Sequence, residues 1–185
     1  MLAHFDAHSI VVYQAYRPST GRFAIEHGQL GGPEFSFDRM SWIKPNFLWM
    51  MYRSGWGAKE GQEITLGLRI RRAFFDRLLL QAVESSFDPA RGASHASWRT
   101  AVETSEVRLQ WDPDHSPDGA KLARRAVQLG LRGDALRALA GSELLEVIDM
   151  SPFVETQRAH ALAGAPWSAL RTPVEHVYPF ARNSS

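Results

Sequence analysis

Segments with strand-like and helix-like patterns alternate along most of the 185-residue chain, and this alternation limits the choice of fold more than any other feature. β-Branched or alternating apolar runs predict strands at 9–13, 39–43, 63–71, 106–111, 125–131 and 143–150. Amphipathic spacing and Pro or Gly boundary signals predict helices at 18–27, 44–55, 73–86, 96–105, 132–141 and 152–164. Because short connections join the last three strands, the pattern predicts an α+β fold with a twisted split sheet, mixed or antiparallel, and flanking helices.

The chain shows neither an internal repeat nor a linker, so one domain over residues 1–185 is predicted. The residues before Ser9 are expected to fray. The 112–121 segment, with two prolines and one glycine, is the expected mobile loop. Ser151 is the predicted N-cap of the last helix, with Pro152 as its first residue. The irregular tail is expected to pack through Trp167, Val177, Tyr178 and Phe180.

The composition excludes several classes of function. The chain has no cysteine, which rules out disulfides, thiol catalysis and thiolate metal sites. Among the seven histidines only His4 and His8 have helical spacing, and they lie in the segment expected to fray, so no metal site is predicted. The N-terminus lacks a signal-peptide pattern and no apolar run is long enough to cross a bilayer, so a cytoplasmic protein without a membrane partner is expected.

The segment 37–56, FDRMSWIKPNFLWMMYRSGW, combines three tryptophans and three methionines with two arginines and one lysine. Two interpretations fit this composition. Large apolar side chains on a short helix are typical of a protein core, but aromatic rings beside basic residues also suit a site for an aromatic and anionic ligand. Because the net charge is only +1, such a basic site would be local.

Four motifs are distributed along the chain: YQAY, WIKPNFLWMMYRSGW, QWDP and QLGLRG. With them the chain resembles a bacterial and fungal domain family of unknown function, and the likeness covers nearly its whole length. The long tryptophan motif is the most specific of the four. This resemblance by itself implies no activity.

The order of three elements resembles that of ADP-ribosyltransferases. In that family a first strand ends in an aromatic and a polar or basic residue, followed by a turn, a helix and a glycine, as in VVYQAYRPSTGRFAIEHG. A short strand with a small hydroxyl residue then runs into a helix that supports the nicotinamide pocket, as in RMSWIKPNFLWMMY with Ser41. A later strand bears the catalytic glutamate, and SELLEVIDMSPFV resembles it. Where the family has Arg or His on the first strand, this chain has Tyr13 and Gln14.

This resemblance implies an ADP-ribosyltransferase-like fold with NAD as the substrate. The implied reaction breaks the nicotinamide–ribose bond and transfers ADP-ribose to a nucleic-acid, protein or small-molecule acceptor. Its transition state is oxocarbenium-like, so a carboxylate beside the ribose would stabilise it. Glu143 or Glu146 is expected to supply this carboxylate, and the two share one face of a strand only if a bulge intervenes. If neither acts, Gln110 with Asp112 is the next pair to consider.

Gln14 joins the two glutamates as a catalytic candidate. The residues expected to contact the dinucleotide are aromatic for ring stacking, or basic and polar for the pyrophosphate and ribose. They are Tyr13, Gln14, Arg17, Arg39, Ser41, Trp42, Lys44, Trp49, Tyr52, Arg53, Gln110 and Trp111. Two other interpretations are open: a non-catalytic domain that binds a nucleotide or single-stranded nucleic acid through the same surface, and an enzyme of unrelated chemistry. The low net charge counts against extensive contact with nucleic acid.

Overall fold

Two β-sheets share one hydrophobic core in the computed structural model of the protein, which describes residues 1–179. The strands of this part of the chain are β1 (Leu2–Phe5), β2 (Ser9–Tyr16), β3 (Ser41–Ile43), β4 (Ile64–Arg71), β5 (Val83–Glu84), β6 (Val107–His115), β7 (Lys121–Leu131), β8 (Leu144–Asp149) and β9 (His176–Val177). Its α-helices are α1 (Pro18–His27), α2 (Phe47–Ser54), α3 (Arg72–Gln81), α4 (His95–Thr104), α5 (Gly133–Ala140) and α6 (Ser151–Leu162).

The two sheets differ in strand direction. The first sheet is antiparallel and has the order β8-β4-β2-β1-β9. The second sheet has the order β3-β7-β6-β5 and is mixed, because β5 runs parallel to β6 while the other pairs are antiparallel. The predicted α+β architecture, with a split sheet and flanking helices, is therefore confirmed.

A backbone link joins the two sheets. The amide N–H of Tyr13 in β2 donates to the carbonyl of Lys44 at 2.7 Å, and the N–H of Lys44 donates to the carbonyl of Tyr13 at 3.1 Å. Lys44 directly follows β3, so this pair of hydrogen bonds holds the end of β3 against β2. It also fixes the start of α2, which begins three residues later at Phe47.

Side chains alternate along β2 between two apolar clusters, as the pleat of a strand requires. Ile10 and Val12 belong to the first cluster, which contains residues of both sheets and of α3 and α5. Val11 and Tyr13 belong to the second cluster, which contains residues of α2 and α6. Gln14 continues the row of Val12, so the polar end of β2 faces the space between the two sheets.

Both ends of helix α2 lie within a few residues of those predicted from the sequence, 44–55. Asn46 accepts a hydrogen bond from the Trp49 amide at 2.7 Å, and Gly55 ends the helix in the left-handed region with φ +58°. An additional cap comes from the tail: Glu175 accepts hydrogen bonds from the N–H of Phe47 at 2.6 Å and from Nδ2 of Asn46 at 2.9 Å. The tail therefore fixes the N-terminus of α2.

Three predictions about where secondary-structure elements begin or end are wrong. The chain start does not fray, because β1 pairs with β2 and β9 and Ala3 is fully buried. The 112–121 segment is not a loop over its whole length, because β6 continues through Pro113 to His115 and β7 begins at Lys121. Pro113 is tolerated because β6 has no strand partner beyond Leu109 on its outer edge among the described residues. The helix predicted to reach residue 86 ends at 81, where the chain turns to form β5.

The predictions for the last helix and the tail are partly wrong. Ser151 is the first residue of α6 rather than its cap, and its Oγ accepts a hydrogen bond from the N–H of Thr65 at 3.2 Å. In the tail, Tyr178 is buried as expected and Trp167 is half-buried. Val177 is 73% exposed because it lies on the edge strand β9. Phe180 lies outside the described residues. No helix within residues 1–179 has the length and apolar character needed to cross a membrane.

Candidate functional site

A cleft of about 740 Å³ lies between β2 of the first sheet and β3, β6 and β7 of the second, with α2 forming one wall. Three basic side chains line it together with two indole rings: Arg39, Lys44, Arg53, Trp42 and Trp49. Asp112 supplies a carboxylate, and no second acidic residue lines the cleft within the described part of the chain. The volume is in the range of small-molecule binding sites.

A glycine on β7 makes room for Trp42. Strand β3 pairs with β7 so that Trp42 lies opposite Gly130. A Cβ atom at position 130 would lie 2.8 Å from Sδ of Met40 and 3.0 Å from Cε2 of Trp42. A larger residue at this position would displace the Met40 side chain and shift Trp42 by a few tenths of an ångström. The position of Trp42 in the cleft therefore depends on Gly130.

Gln14 fixes β3 against β2 at the inner end of the cleft. Its side chain is buried, and Nε2 donates to Oγ of Ser41 at 2.8 Å and to the carbonyl of Trp42 at 3.3 Å. The hydroxyl of Tyr16 donates to Oε1 of Gln14 at 2.7 Å and lies 3.0 Å from Oγ of Ser41. Burial raises the pKa of Tyr16 to about 12, although its hydrogen bonds to Ser41 and Gln14 act in the opposite direction. Tyr16 therefore stays protonated at neutral pH.

Lys44 is a buried lysine without a carboxylate partner among the described residues. The residue is 4% exposed, and Nζ lies 5.8 Å from the centroid of the Trp49 ring. Within residues 1–179, no carboxylate oxygen lies close enough to Nζ to form a salt bridge. Burial and, to a smaller extent, the like charge of Arg53 lower the pKa of Lys44 to about 8, although Asp112 acts in the opposite direction. An anionic ligand in the cleft would supply the missing partner.

Two amides hold the Asp112 carboxylate. Nε2 of Gln110 donates to Oδ1 at 2.9 Å, and Nε2 of Gln128 donates to Oδ2 at 2.8 Å. Gln110 and Gln128 are directly paired across β6 and β7, and Asp112 lies two residues from Gln110, so all three side chains lie on one face. A carboxylate oxygen can accept more than one hydrogen bond, so Oδ1 and Oδ2 can each also accept from a ligand.

A family model described as "Domain of unknown function (DUF4291)" matches residues 1–178. The chain belongs to this family. The resemblance to a family of unknown function that the sequence indicated is thereby confirmed. No curated protein and no solved structure matches the chain.

The cleft of this DUF4291 chain brings together eight of the twelve residues that the sequence predicted to contact a dinucleotide. They are Gln14, Arg39, Ser41, Trp42, Lys44, Trp49, Arg53 and Gln110. These residues come from β2, β3, β6, α2 and the segments next to them, so the fold collects side chains that lie up to about 100 positions apart in the sequence. The other four predicted residues lie elsewhere.

Two of these four are on the wrong side of their elements to reach the cleft. Tyr13 points into the second apolar cluster, where its ring lies 5.4 Å from that of Phe47. It alternates with Gln14 along β2, so only one of the two can face the space between the sheets. Tyr52 lies on the exposed side of α2 and stacks on His115 with ring centroids 3.6 Å apart. Burial lowers the pKa of His115 and so favours the neutral imidazole in this stack.

The remaining two lie beside the cleft. Trp111 is 42% exposed, because it alternates with Gln110 and Asp112 along β6 and points away from them. Arg17 lines a recess of about 210 Å³ that adjoins the cleft, and its guanidinium lies 3.6 Å from the carboxylate of Glu34. The cleft and the recess share Arg39 and several neighbouring residues, so an extended ligand can contact both.

Neither predicted catalytic glutamate lines the cleft. Glu143 lies just before the edge strand β8, and its carboxylate pairs with Arg77 at 2.6 Å and with Arg71 at 3.8 Å. Glu146 lies within β8 and pairs with Arg69 at 2.8 Å. The register of β8 shifts opposite Arg69, so the bulge that the sequence argument required is present. Both carboxylates are nevertheless engaged by arginines and are not directed to the cleft.

Gln128, Tyr16 and Met40 also line the cleft, although they were not among the predicted site residues. A signal for Gln128 was available, because it lies between Val127 and Leu129, which are both buried in the core. A polar residue that alternates with core positions on a central strand faces the opposite side of the sheet. Within residues 1–179, no group of three or more acidic or histidine side chains is placed to hold a metal ion.

Proposed function

We propose that this chain is an ADP-ribosyltransferase-like protein that binds NAD in the cleft and cleaves the bond between nicotinamide and ribose. One observation carries the proposal: the Asp112 carboxylate faces the same cleft as three cationic side chains and two indole rings. A dinucleotide needs flat surfaces for its two ring systems, cations for its pyrophosphate and, for this reaction, a carboxylate near the ribose. The acceptor of ADP-ribose is a nucleic acid, a protein or a small molecule.

In this proposal Asp112 stabilises the sugar as it becomes positively charged. Nicotinamide leaves with the electrons of the glycosidic bond, so positive charge develops on the ribose. A carboxylate already held in place by Gln110 and Gln128 needs little reorganisation to stabilise that charge. Asp112 thus takes the role that the sequence assigned to Glu143 or Glu146, because those two carboxylates are paired with arginines outside the cleft.

The cations and indole rings of the cleft bind the rest of the dinucleotide. Arg39 and Arg53 are the proposed pyrophosphate contacts, because a guanidinium group binds phosphate oxygens in bidentate geometry. Trp42 and Trp49 offer flat faces to the nicotinamide and adenine rings. Lys44 adds a positive charge in the same space and is itself without a carboxylate partner among the described residues.

Gln14 is a positioning residue in this proposal rather than a catalytic one. Its amide is already occupied by Ser41, the carbonyl of Trp42 and the hydroxyl of Tyr16. It therefore has little capacity left for a ligand. Gln14 therefore affects NAD binding indirectly, because it holds β3, which carries Ser41 and Trp42, in position.

Release of nicotinamide tests the proposed reaction. Wild-type protein, Asp112→Asn and Glu143→Gln are incubated with NAD, nicotinamide is quantified by chromatography, and NAD affinity is measured by calorimetry. Asp112→Asn should slow release by about 100-fold or more while affinity changes less than about threefold, because the carboxylate acts mainly in the transition state. Glu143→Gln, which removes a carboxylate outside the cleft, should retain the wild-type rate. Wild-type protein that binds NAD but releases no nicotinamide with any acceptor class would reject the reaction.

A second candidate function is non-catalytic binding of single-stranded nucleic acid. The observation that favours it is an exposed Trp111 on the β6–β7 hairpin beside the exposed Arg125, whose guanidinium donates to the carbonyl of Trp111 at 2.8 Å. Base stacking on an aromatic ring next to cations is a common mode of single-strand binding. Fluorescence anisotropy with a labelled oligonucleotide at two salt concentrations distinguishes the candidates. Salt-sensitive binding that Trp111→Ala weakens, without any NAD binding, would favour this second function.

A further inference from the structure

We propose that Lys44 forms an imine with the open-chain aldehyde of ADP-ribose, so that the cleft captures a phosphorylated aldehyde covalently. The proposal rests on the proposed function for the choice of ADP-ribose, which is the product when water is the acceptor. It goes beyond that function because it assigns Lys44 a nucleophilic role that NAD cleavage does not require.

The position of Lys44 in the fold favours a nucleophilic role for its amine. Its backbone is fixed by two hydrogen bonds to Tyr13 at the junction of the two sheets, so the side chain projects from a rigid point of the fold. The residue is 4% exposed, and the cleft is where its side chain can meet a ligand. No carboxylate of the described residues forms a salt bridge with Nζ. The amine is therefore desolvated and unpaired, which are the conditions that make a lysine nucleophilic.

The stronger of the two charge effects on the pKa of Lys44 acts in the same direction as its burial. Arg53 on α2 is the like charge that lowers the pKa of Lys44, and Asp112 on β6 opposes this effect. With a pKa of about 8, roughly a tenth of the Lys44 side chains are neutral amines at pH 7. An exposed lysine with an ordinary pKa has roughly 0.03% of the neutral form at that pH. The fraction of neutral, nucleophilic amine is therefore much larger at Lys44 than at an exposed lysine.

The other cations of the cleft explain why the aldehyde should carry phosphate. Arg39 and Arg53 line the same space as Lys44 and can hold the diphosphate of ADP-ribose. Binding through the diphosphate brings the terminal ribose close to the amine, and this proximity accelerates addition. A sugar aldehyde without phosphate lacks that anchor.

Imine formation joins one amine and one aldehyde and releases one water molecule. The lone pair of Nζ attacks C1 of the open-chain ribose, a C–N bond forms, and the carbonyl oxygen takes up the proton that the nitrogen loses. The resulting carbinolamine loses its hydroxyl group as water, with one further proton taken up, to leave a protonated imine. The Asp112 carboxylate, which interacts electrostatically with Lys44, stabilises this cation. Hydrolysis reverses the sequence, so the capture consumes no oxidant or reductant.

The experiment uses the small number of lysines in the chain as its internal control. The sequence has lysine only at positions 44, 59 and 121, and Lys59 and Lys121 are both exposed. Wild-type protein is incubated at pH 7.5 with ADP-ribose and sodium cyanoborohydride, which reduces an imine to a stable amine. Peptide mass mapping then measures the adduct at each lysine and, separately, at the N-terminal amine. Parallel samples contain excess ADP, which has the diphosphate but no free aldehyde, or ribose 5-phosphate in place of ADP-ribose.

The expected result is that Lys44 is labelled at least about tenfold faster than either exposed lysine and that ADP protects Lys44 alone. Ribose 5-phosphate should label Lys44 more slowly than ADP-ribose does. Lys44→Arg should lose the fast adduct. Equal labelling of the three lysines, slowest labelling at Lys44, or labelling that ADP does not reduce would overturn the proposal. Because the wild-type protein itself is mapped, the result does not depend on whether a variant folds.

The same experiment separates this proposal from the proposed function, because ADP-ribose is supplied directly. Selective labelling of Lys44 in a protein that releases no nicotinamide from NAD would reject NAD cleavage and support imine formation. Nicotinamide release without selective labelling would support NAD cleavage and reject imine formation at Lys44.

Discussion

Gln128 on β7 donates a hydrogen bond from Nε2 to Oδ2 of Asp112 on β6 at 2.8 Å, so the orientation of the cleft's carboxylate depends on the neighbouring strand. The substitution Gln128→Leu removes this hydrogen-bond donor and keeps a side chain of similar size. NAD cleavage should fall by about tenfold while NAD affinity changes little, because a less constrained carboxylate stabilises the transition state less well. Steady-state kinetics of nicotinamide release measure the change.

The matched control for this prediction is Gln62→Leu. Gln62 also lines the cleft, but its only hydrogen bond within the described residues runs from its backbone N–H to the carbonyl of Lys59. The Gln62→Leu variant should therefore retain nearly the wild-type rate of nicotinamide release. Equal losses in the two variants would mean that cleavage depends on the general polarity of the cleft and not on the orientation of Asp112.

Replacing Gly130 should disturb the stacking surface of the cleft. Gly130→Ala places a Cβ atom 2.8 Å from Sδ of Met40 and 3.0 Å from Cε2 of Trp42, so both side chains must move. We expect affinity for NAD to fall by about tenfold and the free energy of unfolding to fall by about 1–2 kcal/mol, as is typical of overpacking. Gly67→Ala in β4 is the control, because a Cβ at this position would lie 3.3 Å from Cγ of Met150 and Gly67 does not line the cleft. It should lose comparable stability and keep wild-type affinity, whereas parallel losses of affinity in both variants would contradict the prediction.

The strands and helices that local patterns could predict are those whose boundaries depend on nearby residues. The run of β-branched residues from Ser9 predicts the start of β2, and Pro45 and Gly55 indicate the two ends of α2 to within two residues. Strand β5 was missed because Val83 and Glu84 continue an amphipathic helical pattern, while their actual conformation depends on parallel pairing with β6. A strand whose pairing partner lies far away in the sequence cannot be recognised from its own residues and their near neighbours.

The same limit explains which part of the site could be predicted. Trp42, Lys44 and Trp49 were predictable because they lie in one short segment whose composition is unusual. The carboxylate of the cleft was assigned to Glu143 or Glu146 from a local likeness, but the structure places Asp112 there through the pairing of β6 with β7. A sequence cannot indicate which of many acidic residues a sheet will bring to a given face without knowledge of the strand order.

The affinity of the cleft for a diphosphate should depend on pH through Lys44. Its pKa of about 8 lies below the ordinary lysine value, so the folded protein loses this positive charge as the pH rises through about 8. ADP affinity measured by calorimetry should therefore be about fivefold to tenfold weaker at pH 9.5 than at pH 7. Lys44→Met, which has no charge to lose, should bind weakly and equally at both pH values. Wild-type affinity that is the same at pH 7 and pH 9.5 would show that Lys44 is not close to the phosphates.

The cap that Glu175 places on α2 should make stability depend on pH. Burial raises the pKa of Glu175 to about 7, although its hydrogen bonds from Phe47 and Asn46 act in the opposite direction. A carboxyl group whose pKa is higher in the folded state contributes stability that is complete below about pH 4.5 and is lost as the pH rises through about 7. Ionised Glu175 therefore costs the folded protein stability that protonated Glu175 does not.

Glu175→Gln should accordingly gain stability relative to wild type as the pH rises from 5 to 8. Urea unfolding at the two pH values should show the difference in the free energy of unfolding, variant minus wild type, increasing by about 1 kcal/mol after allowance for solvent screening. Glutamine cannot accept one of the two hydrogen bonds. The free energy lost with it is the same at both pH values, so it does not contribute to the change between them. Glu155→Gln, at an exposed position of α6, controls for the removed charge and should show no such change. A difference for Glu175→Gln that stays constant, or decreases, between pH 5 and pH 8 would mean that burial does not dominate the ionisation of this carboxyl group.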